Sequence, residues 1–205
     1  KLSSAPIITQ ILSFFVLPII TRIYDPEHFG TFNLIASVAA FFSVFCGFGY
    51  HQAIVLPKSD KAAFTLLKVS FVLTFLLSVL VLIILYLLPT KFYEIFQILE
   101  IYEHLWIVTL LIFFHGLYVT LLGWSIRKTS FGAVAISRVL NVVSNKSYVI
   151  YIGIFSFATA SALINGLLFG SIIMSLLLLL YYTFLITFYP KNIPILYNLS
   201  LSSNI

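Results

Sequence analysis

The sequence predicts an all-α integral membrane protein with six transmembrane helices. Hydrophobic residues make up 61% of the 205 positions and charged residues only 8%, and the mean hydropathy is +1.13. Soluble domains carry about 25% charged residues. Several apolar runs reach the ~20 residues that cross a bilayer, and they lack the alternation that is typical of membrane barrel strands. We therefore expect lipid to be the solvent for most of the chain.

Short charged or turn-forming connections separate the apolar runs. The first run has Pro6 and Pro18 near its ends, where proline costs a helix least, and the connection RIYDPEHFG follows it. The second run carries small residues that allow close helix packing, the third is closed by Pro89, and the fifth is the most polar. The six predicted spans are residues 4–21, 31–50, 64–88, 105–124, 138–155 and 160–188.

Lys and Arg are distributed unevenly between the two sets of connections. The connections after spans two and four, and the tail, carry Lys58, Lys61, Arg127, Lys128 and Lys191. The other connections carry only Arg22 and Lys91, beside Asp25, Glu27, Glu94, Glu100 and Glu103. Because cytoplasmic loops hold the excess of positive charge, we expect both ends of this segment to be cytoplasmic.

Several classes of function are not supported by any pattern in the chain. Cys46 is the only cysteine, so neither a disulfide framework nor a cysteine metal site is available. The sequence has no phosphate-binding glycine loop, no HExxH pair and no serine nucleophile elbow, and its acidic residues lie in or beside connections. It also lacks a solvated Lys/Arg cluster. We expect no enzyme activity, no catalytic residues, no metal, no cofactor and no nucleic-acid partner.

The fifth span carries a polar stripe. Its members recur at helical spacing: Ser137, Asn141, Ser144, Asn145 and Tyr148. Such a stripe predicts either a cavity for hydrophilic cargo, lined by Asn141 and Asn145, or hydrogen bonding between helices. Both interpretations stay open.

Three further residues are candidates for contact with a substrate. Lys146 lies off the stripe and could attract an anionic group in a cavity, reach an interface, or simply flank the span if that span begins later. His115 interrupts the fourth span and could relay a proton or form an ordinary hydrogen bond between helices. Arg22, near Asp25 and Glu27, could gate an outer opening or form a weak interfacial ion pair.

Three blocks of sequence resemble the bacterial polysaccharide-biosynthesis flippases. The stretch ITQILSFFVLPIITRIYDPEHFGTFNLIASV, residues 8–38, is similar to the beginning of these transporters of O-antigen and exopolysaccharide lipid-linked oligosaccharides. Its matching positions are Leu17, Pro18, Thr21, Arg22, Tyr24, Pro26, Glu27, Phe29 and Gly30. AIVLPKSD at residues 53–60 and RKTSFGAVAISRVLNVV at residues 127–143 resemble two later segments of the same family.

The resemblance implies a protein of two six-helix lobes, as in the multidrug-and-toxin extruders of the same superfamily (a MATE-like exporter), with this chain as the N-terminal lobe. The cargo would be an undecaprenyl-pyrophosphate-linked oligosaccharide, flipped across the bacterial inner membrane by alternating access for O-antigen, capsule or exopolysaccharide synthesis. The partners would be this cargo, membrane lipid and a C-terminal lobe in the same, longer chain. Since the chain begins at Lys1, we expect a fragment.

Other functions remain as alternatives. A drug or metabolite antiporter of the same superfamily would be favoured by an intramembrane acidic pair, which the sequence lacks. A glycan polymerase or acyltransferase would need catalytic residues in a large outer loop, and the outer connections are short. An inactive truncated membrane protein or a scaffold is the last alternative.

Overall fold

The computed structural model describes residues 4–95 and 102–188, and in these ranges the chain is helical, without strands. Six long helices account for most of these residues. They are α1 (Ser4–Ile23), α2 (Pro26–Ser43), α3 (Asp60–Leu87), α4 (Leu105–Arg127), α5 (Phe131–Phe155) and α6 (Ala160–Phe188). A 3₁₀ turn at Cys46–Gly49 and a short helix at Tyr50–Ala53 follow α2, and another short helix, Thr90–Ile95, follows α3.

Local signals explain where α2 and α3 begin. Asp25 has an extended backbone and Pro26 is the first helical residue, with Glu27 in the first turn. Proline's fixed φ suits that position, and an acidic side chain complements the helix dipole there. At α3, the Ser59 hydroxyl accepts a hydrogen bond from the N–H of Ala62 at 3.3 Å. Consequently α2 begins within the segment RIYDPEHFG, which the sequence analysis had assigned entirely to a connection.

The second predicted span, residues 31–50, differs most from the structure. It begins earlier, at Pro26, and its helix stops at Ser43. The segment Cys46–Ala53 is bent by 41° relative to Pro26–Ser43, and Gly47, Phe48 and Gly49 within it all have positive φ. Glycine adopts positive φ at little cost, so the two glycines that had indicated close packing also permit the break.

Four of the described helices are long and apolar enough to cross a bilayer: α1, α3, α4 and α6. The bent pair of α2 and the segment Cys46–Ala53 makes a fifth candidate. α5 has 25 residues but is not among these candidates, because its asparagines, serines, Arg138 and Lys146 lower its hydropathy. The chain is therefore a multi-pass membrane protein with four to five candidate spans, and the sixth remains a prediction.

The helices pack in a continuous order. α5 makes its most extensive contact with α6 and also packs against α1. α6 packs against α4 and α2, and α4 packs against α3 and α2. Ile35, Val81, Val108 and Ile164 represent these four helices in the largest buried cluster. α1 exposes most of its apolar side chains, as expected for a helix that faces lipid or another protein surface.

Candidate functional site

The polar stripe of α5 faces α6. A Cβ placed at Gly170 would lie 3.2 Å from Asn141 Nδ2 and 3.0 Å from Asn145 Cβ, and one at Gly166 would lie 3.4 Å from Asn145 Oδ1. Gly166 and Gly170 form a GxxxG pair, which lets two helix backbones approach closely. Both asparagines are only partly buried. The two asparagines therefore lie at the contact between α5 and α6.

The other members of the stripe are also engaged in packing. Ser137 is buried and its hydroxyl donates to the carbonyl of Val134 at 2.9 Å. The ring of Tyr148 lies against Phe169 of α6, with 5.5 Å between ring centroids. Asn141, Asn145 and Tyr148 of the stripe thus meet α6.

Lys146 lies on a different side of α5, in a crevice against α1. The crevice has a volume of about 150 Å³ and is bounded by Leu12, Val16, Val142, Val143, Lys146, Ser147 and Ile150. The side chain of Lys146 is half-buried, and within the described residues it has no acceptor or acidic partner. An ammonium group at this depth in an apolar environment is costly unless an anion or water neutralises it. Lys146 is therefore available to a ligand.

Arg22 and His115 are both exposed. Arg22 lies in the last turn of α1, and in the described part of the chain it forms no ion pair with Asp25 or Glu27. The His115 ring contacts the Tyr118 ring, with 6.5 Å between centroids. The Tyr118 hydroxyl in turn accepts a hydrogen bond from Arg138 Nε at 2.6 Å. The five candidate residues thus do not line one cavity of the described part of the chain.

A charged clamp, formed by Asp60 at the start of α3 with Arg127 and Lys128 at the end of α4, joins the α2–α3 and α4–α5 connections. The sequence analysis did not predict it. Arg127 Nε and Nη2 donate to Asp60 Oδ1 at 3.1 and 3.0 Å, and Lys128 Nζ donates to Asp60 Oδ2 at 2.7 Å. Arg127 Nη1 also donates to the carbonyl oxygens of Pro57 and Ile54, at 2.6 and 3.3 Å. Asp60 lies in the block AIVLPKSD, and Arg127 and Lys128 lie in the block RKTSFGAVAISRVLNVV. The opposite charges of these two blocks were the only sequence signal for the contact.

Tyr24 anchors α1 to α5. It lies between α1 and α2, is buried, and its hydroxyl donates to the carbonyl of Val149 at 2.8 Å. Burial, and secondarily the nearby Tyr148, raises the pKa of Tyr24, so the hydroxyl keeps the proton it donates. A Cβ at Gly153 would lie 3.0 Å from the Tyr24 hydroxyl oxygen. The missing side chain of Gly153 therefore lets Tyr24 approach α5 closely.

The arrangement offers little for metal chemistry. Across residues 4–95 and 102–188, no three His, Cys, Asp or Glu side chains are grouped as metal ligands. Glu100 and Lys191, which contributed to the charge pattern, lie outside the described residues. What the site can do is bind an anion at Lys146, beside an apolar crevice.

Residues 19–204 match a family model described as "Polysaccharide biosynthesis protein". The match covers most of the chain and includes all six long helices at least in part. Comparisons with curated proteins and with solved structures gave no significant match.

Proposed function

Because the chain belongs to the polysaccharide biosynthesis protein family, in its flippase-like branch, we propose that it is one lobe of a transporter that flips a lipid-linked oligosaccharide across the bacterial inner membrane. The observation that carries this proposal is the family match over residues 19–204 of a multi-pass helical membrane protein. The protein would not be an enzyme. The cargo would be an undecaprenyl-pyrophosphate-linked glycan for O-antigen, capsule or exopolysaccharide synthesis.

We further propose that α5 crosses the membrane, which makes six spans in one unit over residues 1–205. Its 25 residues span about 38 Å at 1.5 Å per residue, more than the ~30 Å hydrocarbon core. It packs between α1 and α6, both of which are candidate spans, so its polar side chains need not face lipid. The six-helix unit would pair with a C-terminal lobe in a MATE-like arrangement, and both of its ends would be cytoplasmic.

Lys146 is the proposed contact for the anionic part of the cargo. Its support is the half-buried ammonium group without a partner among the described residues, in a crevice next to α1. Arg22, exposed at the end of α1, and His115, exposed on α4, are proposed contacts only with the second lobe or with cargo that passes between the lobes. Asn141 and Asn145 keep a weaker claim, since their contacts with α6 support a packing role.

The proposal is tested by measuring translocation of a fluorescent lipid-linked oligosaccharide in vesicles that contain the full-length transporter. Lys146→Gln should reduce the flipping rate about tenfold, because a hydrogen bond to a charged group contributes about 1.5–3 kcal/mol. Lys146→Arg should retain much of the rate. The control is Lys68→Gln, which removes an exposed lysine that lies over the Phe64 ring.

The outcomes separate the cargo site from the general function. An unchanged rate in Lys146→Gln at normal protein levels would remove Lys146 from the cargo site. Absence of any glycan translocation by the unsubstituted transporter would contradict the flippase proposal itself.

A further inference from the structure

We propose that the break after α2 is a proton-binding site, with His51 Nδ1 as the base and the Ser70 hydroxyl and the Cys46 backbone as the polar groups beside it. The segment that forms the break is the 3₁₀ turn Cys46–Gly49 and the short helix Tyr50–Ala53. The site itself rests on the local geometry alone. Its use during transport rests on the proposed function.

Cys46 and Gly47, at the start of the break, lie deep among the helices. The thiol of Cys46 donates to the carbonyl of Ile112 at 3.5 Å, and a Cβ at Gly116 would lie 2.8 Å from the Cys46 sulfur. Gly116 precedes the end of α4 at Arg127 by eleven residues, or about 16 Å at 1.5 Å per residue. Irregular backbone at this depth of a membrane protein occurs only where protein buries it or where it lines a cavity.

The backbone of the break is also held in an unfavourable conformation. Phe48 has φ of 45° and ψ of 39°, a left-handed conformation that costs a residue with a side chain roughly 1–2 kcal/mol. Such conformations persist where the surroundings enforce them, and they are concentrated at sites of binding or switching. Cys46 and Gly47, just before it, are buried against α3 and α4.

Two polar atoms at this place are buried without a hydrogen-bond partner, namely His51 Nδ1 and Thr74 Oγ1. Buried side-chain polar atoms nearly always have a partner, so each exception calls for an explanation. Ser70 lies beside both: its hydroxyl and His51 Nδ1 would be 2.6 and 3.7 Å from a Cβ at Gly47, and it precedes Thr74 by one helical turn. The Ser70 hydroxyl is also 2.9 Å from Thr120 Oγ1 of α4.

A proton at His51 Nδ1 would change this network. A neutral imidazole has one donor nitrogen and one acceptor nitrogen, whereas an imidazolium has two donors. With the proton added, Nδ1 becomes a donor that needs an acceptor, and a small shift of the ring toward the Ser70 oxygen would supply one, with Ser70 donating onward to Thr120. No bond to carbon changes, and the proton comes from water.

The positive charge on a protonated His51 determines which conformation of the break is favoured. Besides His51, the ionisable groups on the break and on the helices packed against it are Cys46, Asp60, Lys61, Lys68, His115, Arg127 and the tyrosines Tyr50, Tyr86 and Tyr118. Asp60 is paired with Arg127 and Lys128, and Lys61, Lys68 and His115 are exposed. A buried imidazolium is costly without a counter-charge, so protonation should favour an arrangement in which the break opens toward water.

Cys46, the only cysteine of the chain, reports on this opening. We suggest measuring its alkylation by N-ethylmaleimide between pH 8 and pH 5.5, in membranes containing the unsubstituted protein or His51→Gln. The thiolate fraction falls with pH in both proteins. The informative quantity is therefore the alkylation rate of the unsubstituted protein divided by that of His51→Gln at the same pH. This ratio should rise several-fold toward pH 5.5. The matched control is His28→Gln, which removes another buried ring nitrogen without a hydrogen-bond partner, and it should behave like the unsubstituted protein.

A ratio that stays constant across this range would overturn the proposal. If His51→Gln fails to fold, ¹⁵N-histidine spectra of the unsubstituted protein give the same answer. A His51 ring that keeps one protonation state from pH 5 to pH 8 would then contradict the site. A pH-dependent ratio in a protein that moves no glycan would leave the proton site standing and remove only the proposed function.

Discussion

Arg127 shows how one side chain can organise a helix end. Its guanidinium group, only 12% exposed, contacts the Asp60 carboxylate and carbonyl oxygens of the α2–α3 connection. Asp60 is 51% exposed, so solvent screens the ion pair and its contribution is small. The hydrogen bonds from Arg127 to the backbone carbonyls contribute more to stability than the ion pair, because without Arg127 those carbonyl oxygens would lose their charged donor. A clamp of this kind fixes the relative position of α3 and α4.

Replacing Arg127 should therefore cost more than replacing Lys128, although both contact Asp60. We expect Arg127→Ala to lower the free energy of unfolding by about 1.5–3 kcal/mol, the value typical of hydrogen bonds to a charged group. Lys128→Ala should cost less than about 1 kcal/mol, as for exposed ion pairs. Chemical unfolding of the purified protein in detergent measures both. Equal losses would mean that the carbonyl contacts contribute nothing.

At the scale of elements, the α5–α6 pair depends on the glycines of α6. A Cβ at Gly170 would lie 2.8 Å from the backbone oxygen of Asn141, which cannot move without shifting α5. A Cβ at Gly166 would meet the Val149 side chain at 2.5 Å, where a side chain can adjust. Gly132, in the first turn of α5, has nothing within 4 Å of such a Cβ.

These distances predict a ranking for three substitutions. Gly170→Ala should destabilise the protein most, by about 1–3 kcal/mol as in overpacked cores, and Gly166→Ala should cost less. Gly132→Ala should be neutral or stabilising by up to ~1 kcal/mol, because alanine favours a helix. Thermal unfolding in detergent, followed by circular dichroism, would establish the order. If Gly170→Ala were as stable as Gly132→Ala, the close approach of α5 and α6 would be wrong.

The elements also show what the sequence could and could not predict. Apolar runs predicted the beginning of the last helix at residue 160, because an uninterrupted run leaves one solution. The break after α2 was missed because Gly47 and Gly49 suit close packing and positive φ equally well. The face of α5 that carries Asn141 and Asn145 followed from helical spacing, but only the fold reveals that α6 covers it. A charge pattern likewise cannot indicate that Asp60 meets Arg127.

At the scale of the whole molecule, α1 has a distinct position. It packs against α5, and little of its surface is buried in this lobe, although it contributes Leu12 and Val16 to the Lys146 crevice. A helix attached on one side can shift while the packing among the other helices stays intact. The proposed cargo contact therefore lies next to the element of the lobe that is least constrained by packing.

The membrane topology depends on whether α5 crosses the bilayer, and a pair of cysteine substitutions decides this. Thr129 and Ser156 are exposed residues at the two ends of α5, and both resemble cysteine in size. In a Cys46→Ala background, an impermeant thiol reagent added to intact spheroplasts should label Ser156→Cys. It should label Thr129→Cys only after permeabilisation, because the positive charges of Arg127 and Lys128 predict that this end is cytoplasmic. Labelling of both positions from the same side would mean that α5 does not cross. The chain would then have an odd number of spans, and its two ends would lie on opposite sides of the membrane. A six-helix lobe does not allow this.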